Sequence, residues 1–63
     1  MLADNIKRFR KQLNLSQEQL ARKADISYAT LIKLESGANT NPTLKIIQQL
    51  AIALEVSLDD LIK

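Results

Sequence analysis

An apolar residue, a serine, three further residues and a leucine recur along this chain. The phrase reads Leu15-Ser16-Gln17-Glu18-Gln19-Leu20, then Ile26-Ser27-Tyr28-Ala29-Thr30-Leu31, then Val56-Ser57-Leu58-Asp59-Asp60-Leu61. A serine at the N-cap of a helix accepts a hydrogen bond from one of the orphan amides of the first turn. The apolar residue before it can pack on the residue at N4, here always leucine, and Gln19 also completes a capping box with Ser16. Ser16 and Ser27 stand eleven residues apart, so the first of these helices can run only from about Gln17 to Ala24. Two short helices joined by a tight turn at Asp25 follow from that spacing.

The flanking segments extend the helical pattern. Leu2, Ile6, Phe9 and Leu13 recur at intervals of four, three and four, one apolar face of a helix from about Leu2 to Leu13. Asn14 can end it, since Asn tolerates the left-handed conformation at C′. The helix after Ser16 buries Leu20, Ala21 and Ala24. The helix after Ser27 runs to about Ser36, where Gly37, the only glycine, supplies a C′ cap. Ala38 to Pro42 reads as a polar loop. Thr43 caps a fourth helix whose inner face is Leu44, Ile47, Leu50, Ala51 and Leu54, with Ile52 outward and Ile46 on a flank. The third copy of the phrase starts a final short helix at Ser57. No strand alternation and no low-complexity linker interrupts the pattern. The expectation is an all-α, compact five-helix bundle, a single domain over residues 1–63.

At 63 residues the chain sits near the lower limit for one stable core. It has no cysteine and no histidine, so neither disulfides nor a metal framework is expected to support the fold, and no cofactor is expected. Without those residues or a glycine-rich phosphate loop, enzyme activity is not expected either. Asp59 and Asp60 lie at a helix start, where the dipole favours acids. No apolar run approaches the ~18–20 residues of a membrane span and no leader is visible; the sequence reads as cytoplasmic. Net charge is only +2, but its distribution is uneven. Met1 to Lys23 carries six Lys/Arg against two acids, a balance of +4, whereas Glu55 to Lys63 carries three acids against one lysine, a balance of −2. A basic end and an acidic end suit a domain that orients on a polyanion.

The chain resembles the Cro/repressor-type helix-turn-helix DNA-binding family, also called the xenobiotic-response-element type. Leu15-Ser16-Gln17-Glu18-Gln19-Leu20-Ala21, Ile26-Ser27 with Leu31, Leu34-Glu35-Ser36-Gly37, Asn41-Pro42-Thr43-Leu44, Leu50-Ala51 through Leu54, and Val56-Ser57-Leu58-Asp59 carry the resemblance. Their order and spacing extend from Ile6 to Ile62, with the helix-turn-helix motif at about 17–36. The resemblance implies a bundle of the phage-repressor type, in which the second helix lies across the DNA backbone and the third, residues 28–36, enters the major groove. It also implies a transcription regulator, a repressor, working at the nucleoid. Asp25 and Glu55 depart from the family, which usually has glycine at both places.

The third helix can be read independently of the family. At about 100° per residue, Leu31 and Leu34 define the buried direction. The outward stripe is then Tyr28, Ala29, Ile32 and Lys33, of which Ile32 is read as an isolated surface residue. The resemblance implies base contacts from Tyr28, Ala29 and Lys33. Lysine can donate to guanine N7 and O6, and alanine can touch a thymine methyl. Backbone contacts are expected from Gln17, whose amide lies at a positive helix end, and from Ser27, Lys11, Asn39, Thr40 and Thr43. Arg8, Arg22 and Lys23 read as solvated helix surface.

Two further expectations concern assembly. The resemblance implies an internal ion pair between Arg10 and Glu35, tying the first helix to the third. Ile52, with Ile46, offers an apolar surface on the fourth helix, and family members dimerise through C-terminal helices on palindromic sites. The partners expected are therefore double-stranded DNA with a palindromic operator and a second copy of the chain. The alternative is a protein-interaction module, or an antitoxin-type partner, using the surface of the last two helices.

Overall fold

The computed structural model describes residues 1–63. Five helices follow one another: α1 (Leu2–Gln12), α2 (Gln17–Ala24), α3 (Tyr28–Ser36), α4 (Leu44–Leu54) and α5 (Leu58–Ile62). Each repeated serine caps a helix. Ser16 Oγ accepts from Gln19 N at 3.0 Å, Ser27 Oγ from Thr30 N at 3.1 Å, and Ser57 Oγ from Asp60 N at 3.0 Å. Ser16 N donates in return to Gln19 Oε1 at 2.8 Å, closing the capping box. Thr43 Oγ1 does the same work for α4, accepting from Ile46 N at 3.2 Å.

The residue two before each serine is left-handed: Asn14 at φ 56°, Asp25 at φ 59° and Glu55 at φ 61°. The residue after each reaches back to close the preceding helix. Leu15 N donates to Arg10 O at 3.1 Å, Ile26 N to Ala21 O at 3.0 Å and Val56 N to Ala51 O at 3.0 Å. These bonds satisfy carbonyls that a helix end otherwise orphans, in the Schellman manner. The apolar residue thus serves both the helix it leaves and the helix it enters. Leu15, Ile26 and Val56 all pack on the core, and the leucines four residues after the serines, Leu20, Leu31 and Leu61, are 0 % exposed. The same three-residue joint folds the chain back each time.

Ile6, Leu20, Leu31, Leu34, Leu50 and Leu61 are the large side chains at the centre, contributed by all five helices. Burying each stabilises by about 1.5–3 kcal/mol. α2 packs on α3 and α4; α1 bridges α3, α4 and α5; α5 closes against α4. No helix is long and apolar enough to cross a membrane.

The inner face of α4 differs from the expected one. Leu44 is 64 % exposed, and the core residues of α4 are Leu50, Ala51, Ala53 and Leu54. Leu44 opens the helix and lies roughly a quarter-turn from the stripe through Ile47, Leu50 and Leu54. At a helix end, no further turn shelters it. On α1, Asn5 is buried beside Ile6, a polar residue that the apolar periodicity passes over. Its Nδ2 donates to Leu61 O at 2.8 Å and Lys63 O at 3.2 Å, supplying donors to the carbonyls at the end of α5.

Candidate nucleic-acid interface

α3 buries Leu31, Leu34 and Glu35. Ala29 and Lys33 are exposed on the side away from Leu31 and Leu34, and Tyr28, seven residues before Glu35, is exposed on the flank. Residues 28, 29, 32 and 33 fall within one arc of about 140° on a helix of 3.6 residues per turn. Ile32 lies inside that arc but is half-buried, so it is not a free surface residue as expected. Ser27 holds the start of the stripe in place. Its Oγ accepts from Thr30 N and donates to Thr30 Oγ1 at 2.7 Å, so the hydroxyl proton is engaged within the chain. Thr43 Oγ1 acts as an acceptor in its cap, which leaves its proton for an acceptor outside.

At the start of α2, Ser16 satisfies the Gln19 amide, leaving Gln17 and Glu18 N–H as the orphan donors of the first turn. The Gln17 side chain turns inward and is half-buried: Nε2 donates to Glu35 Oε1 at 3.1 Å. Glu35 is also the partner of Arg10, as a bidentate pair. Arg10 Nε donates to Glu35 Oε2 at 2.8 Å and Nη2 to Oε1 at 3.0 Å. Arg10 Nη1 donates to Leu15 O at 2.9 Å. The side chains are only 13 % and 3 % exposed. Arg10 and Glu35 thus join α1 to α3 as the resemblance implied, and they also reach the α1–α2 joint and the first residue of α2.

Asn39 and Thr40 lie in the loop after α3. Asn39 N donates to Lys33 O at 3.0 Å, and Asn39 Oδ1 accepts from Asn41 N at 3.0 Å. Asn39 is half-buried because, with Thr40, it lines a shallow apolar recess against Met1, Leu2 and Leu34. Thr40 and Thr43 are exposed.

Several cations have partners within the chain. Arg10 is paired; Lys7 Nζ lies 3.8 Å from Asp4 and Lys23 Nζ 3.3 Å from Glu55. Arg8 stacks at 4.8 Å over the Phe9 ring. Lys11, Arg22, Lys33 and Lys45 are exposed without a carboxylate partner. Lys45 is a cation the sequence reading passed over. It stands in the first turn of α4, where the dipole disfavours positive charge and no acid offsets it. Its signal was its place opposite the buried stripe. On the same outer side, Ile52 is 77 % exposed, while Ile46 is half-buried against the core and offers less surface than expected.

A helix-turn-helix family model matches residues 6–61. The HTH-type transcriptional regulator SinR of Bacillus subtilis (strain 168) is 31 % identical over 62 residues, covering 98 % of this chain and 56 % of SinR. An uncharacterized HTH-type transcriptional regulator of Archaeoglobus fulgidus is 34 % identical over 56 residues, 89 % of this chain and 78 % of that protein. Among solved structures, the master regulator for biofilm formation SinR in complex with DNA superposes with a TM-score of 0.96 at 30 % identity, covering 100 % of both chains. The chain spans about half the length of the curated SinR it matches. Five helices in this order, three of them capped at these serines, matched over nearly their whole length, place the chain in the helix-turn-helix family.

Proposed function

We propose that this chain is the DNA-binding domain of a transcription regulator, a repressor, that reads double-stranded DNA through α3. The observation that carries this reading is the exposed stripe of Tyr28, Ala29 and Lys33 on a helix held rigidly from behind by buried Leu31, Leu34 and Glu35. Lys33 donates to guanine and Ala29 meets a thymine methyl in the major groove. Tyr28 packs its ring on a sugar or base. The orphan amides of α2, the Gln17 side chain, Thr43, Asn39, Thr40, Lys11 and Lys45 take phosphates, with Ser27 contributing after its hydroxyl turns outward. The SinR complex with DNA supports this reading, since its fold superposes on this chain from end to end. A second copy docks through the α4 surface around Ile52, setting two copies of α3 about 34–36 Å apart on a palindromic site.

A salt titration of duplex binding tests the proposal. With Lys11 and Lys45 as the cations on phosphates, affinity falls roughly tenfold per domain between 50 and 200 mM salt. A chain that retains no duplex at low salt, yet retains a protein partner, belongs to the interaction-module reading instead. The exposure of Ile52 is the observation that favours that second reading.

A further inference from the structure

Glu35 accepts from two residues at once. Arg10 holds it in a bidentate pair, and Gln17 Nε2 donates to the same Oε1 that receives Arg10 Nη2. The carboxylate is almost wholly enclosed, so its position is set by the packing of α1 against α3 rather than by solvent. Gln17, by contrast, is half-buried and opens α2. A primary amide nitrogen carries two N–H donors. Glu35 takes one of them. The other makes no hydrogen bond within the chain, and Gln17 itself opens α2, where its backbone amide is also without a partner in the helix.

We infer that Glu35 is a positioning residue for DNA binding. It fixes the Gln17 amide so that the second N–H and the backbone N–H clamp one phosphate oxygen together. This rests on the reading of the chain as a DNA-binding domain and names a part of that surface that never touches DNA. A free glutamine side chain loses rotamer entropy when it binds; one already tethered has lost it on folding. The relay runs from Arg10 through Glu35 to Gln17. Arg10 also fixes the Leu15 carbonyl, so the backbone entering the Ser16 cap is held from the same point. An ion pair in the core of the domain therefore sets the geometry of a contact at its edge.

The test is a coupling measurement on a mixed-sequence duplex about two helical turns long, at low salt. Sequence specificity is not needed, because the contact is to phosphate. The variants are Gln17→Ala, the pair Arg10→Met with Glu35→Leu, and all three together. The pair change removes one charge of each sign, so net charge is unchanged. Replacing a buried ion pair by apolar residues is often neutral for stability, and thermal melting checks that the fold persists. Gln17→Ala is expected to weaken binding about three- to tenfold, the scale of one hydrogen bond. The pair variant should weaken it by a similar factor, and adding Gln17→Ala to the pair should cost nothing more. A pair variant that binds like the parent overturns the inference, as does a Gln17→Ala effect of equal size in both backgrounds. Absence of duplex binding by the unmodified chain overturns the DNA-binding reading itself, a different outcome seen before any variant is made. If the pair variant does not fold, side-chain amide resonances of Gln17 in the unmodified chain carry the test. One Nε2 proton should stay protected from solvent exchange while the other shifts on adding duplex; two protons that exchange freely and shift together refute the tether.

Discussion

The amide of Asn5 donates to the carbonyl of Leu61 across 56 residues of chain, at 2.8 Å. Leu61 is the one fully buried residue of α5, a helix of five residues that has too few internal hydrogen bonds to stand alone. The bond therefore ties the last helix to the first. Asn5→Ala leaves the Leu61 carbonyl buried with one partner fewer. We expect a loss of about 1–3 kcal/mol. In a domain of this size that lowers the melting temperature by about 4–8 °C per kcal/mol, measured by calorimetry. Hydrogen exchange should show the amides of Leu61 in α5 and Lys63 just after it, which donate to Ser57 O and Asp59 O, losing protection first; uniform loss across all helices argues against a local tether.

Arg10→Ala leaves Glu35 enclosed without its partner. Breaking one side of a buried pair costs roughly 3–5 kcal/mol, enough to leave the domain barely folded at room temperature. Urea denaturation measures it. A midpoint within experimental error of the parent would mean that the pair does not bear on stability.

Glu55 occupies a left-handed position that favours glycine. Glu55→Gly removes about 1 kcal/mol of steric cost but gives back part of it in unfolded-chain entropy. It also breaks the exposed contact with Lys23, which counts for little. The expected outcome is a small gain in stability, larger at high salt where the contact with Lys23 is already screened. A clear loss in both salt conditions would show that the glutamate side chain contributes more than its geometry indicates.

Lys33→Ala separates base reading from phosphate contact. At a base edge, the change should cost about 1–3 kcal/mol and relax preference at one base pair of a selected site. For Lys45 as the proposed phosphate contact, Lys45→Ala should weaken all duplexes alike and lower the salt slope by about one. Selection of bound duplexes from a random pool, repeated with each variant, gives both readouts. If the two variants behave identically, Lys33 belongs among the phosphate contacts.

Ile52→Lys should leave the monomer unchanged, because the side chain is 77 % exposed, and melting should move by no more than about 0.5 kcal/mol. Sedimentation in the presence of a palindromic duplex should instead show one chain bound where the parent binds two. Two bound variant chains would move the proposed dimer surface elsewhere, with exposed Met1, Leu44 and Ile62 as the remaining apolar residues away from Tyr28.

How much of this was legible beforehand depended on the distance over which each feature is decided. Ser16, Ser27, Thr43 and Ser57 satisfy amides three residues away. Asn14, Asp25 and Glu55 adopt their left-handed turns for reasons internal to each joint. Sequence by itself therefore determined the number of helices, their approximate ends and the exposed positions Tyr28, Ala29 and Lys33 of α3, but not the half-burial of Ile32. It misjudged Leu44, since periodicity marks a face and not where along a helix the neighbours stop. It also passed over the Asn5–Leu61 bond and the tether from Glu35 to Gln17, which span 56 and 18 residues. Nothing local at Gln17 distinguishes an amide aimed at solvent from one drawn to a carboxylate. That carboxylate is brought near only when α1 packs on α3 and α2 packs beside it. The tertiary structure alone decided which polar groups meet, because a hydrogen bond needs its partners within about 3 Å and only packing sets that distance.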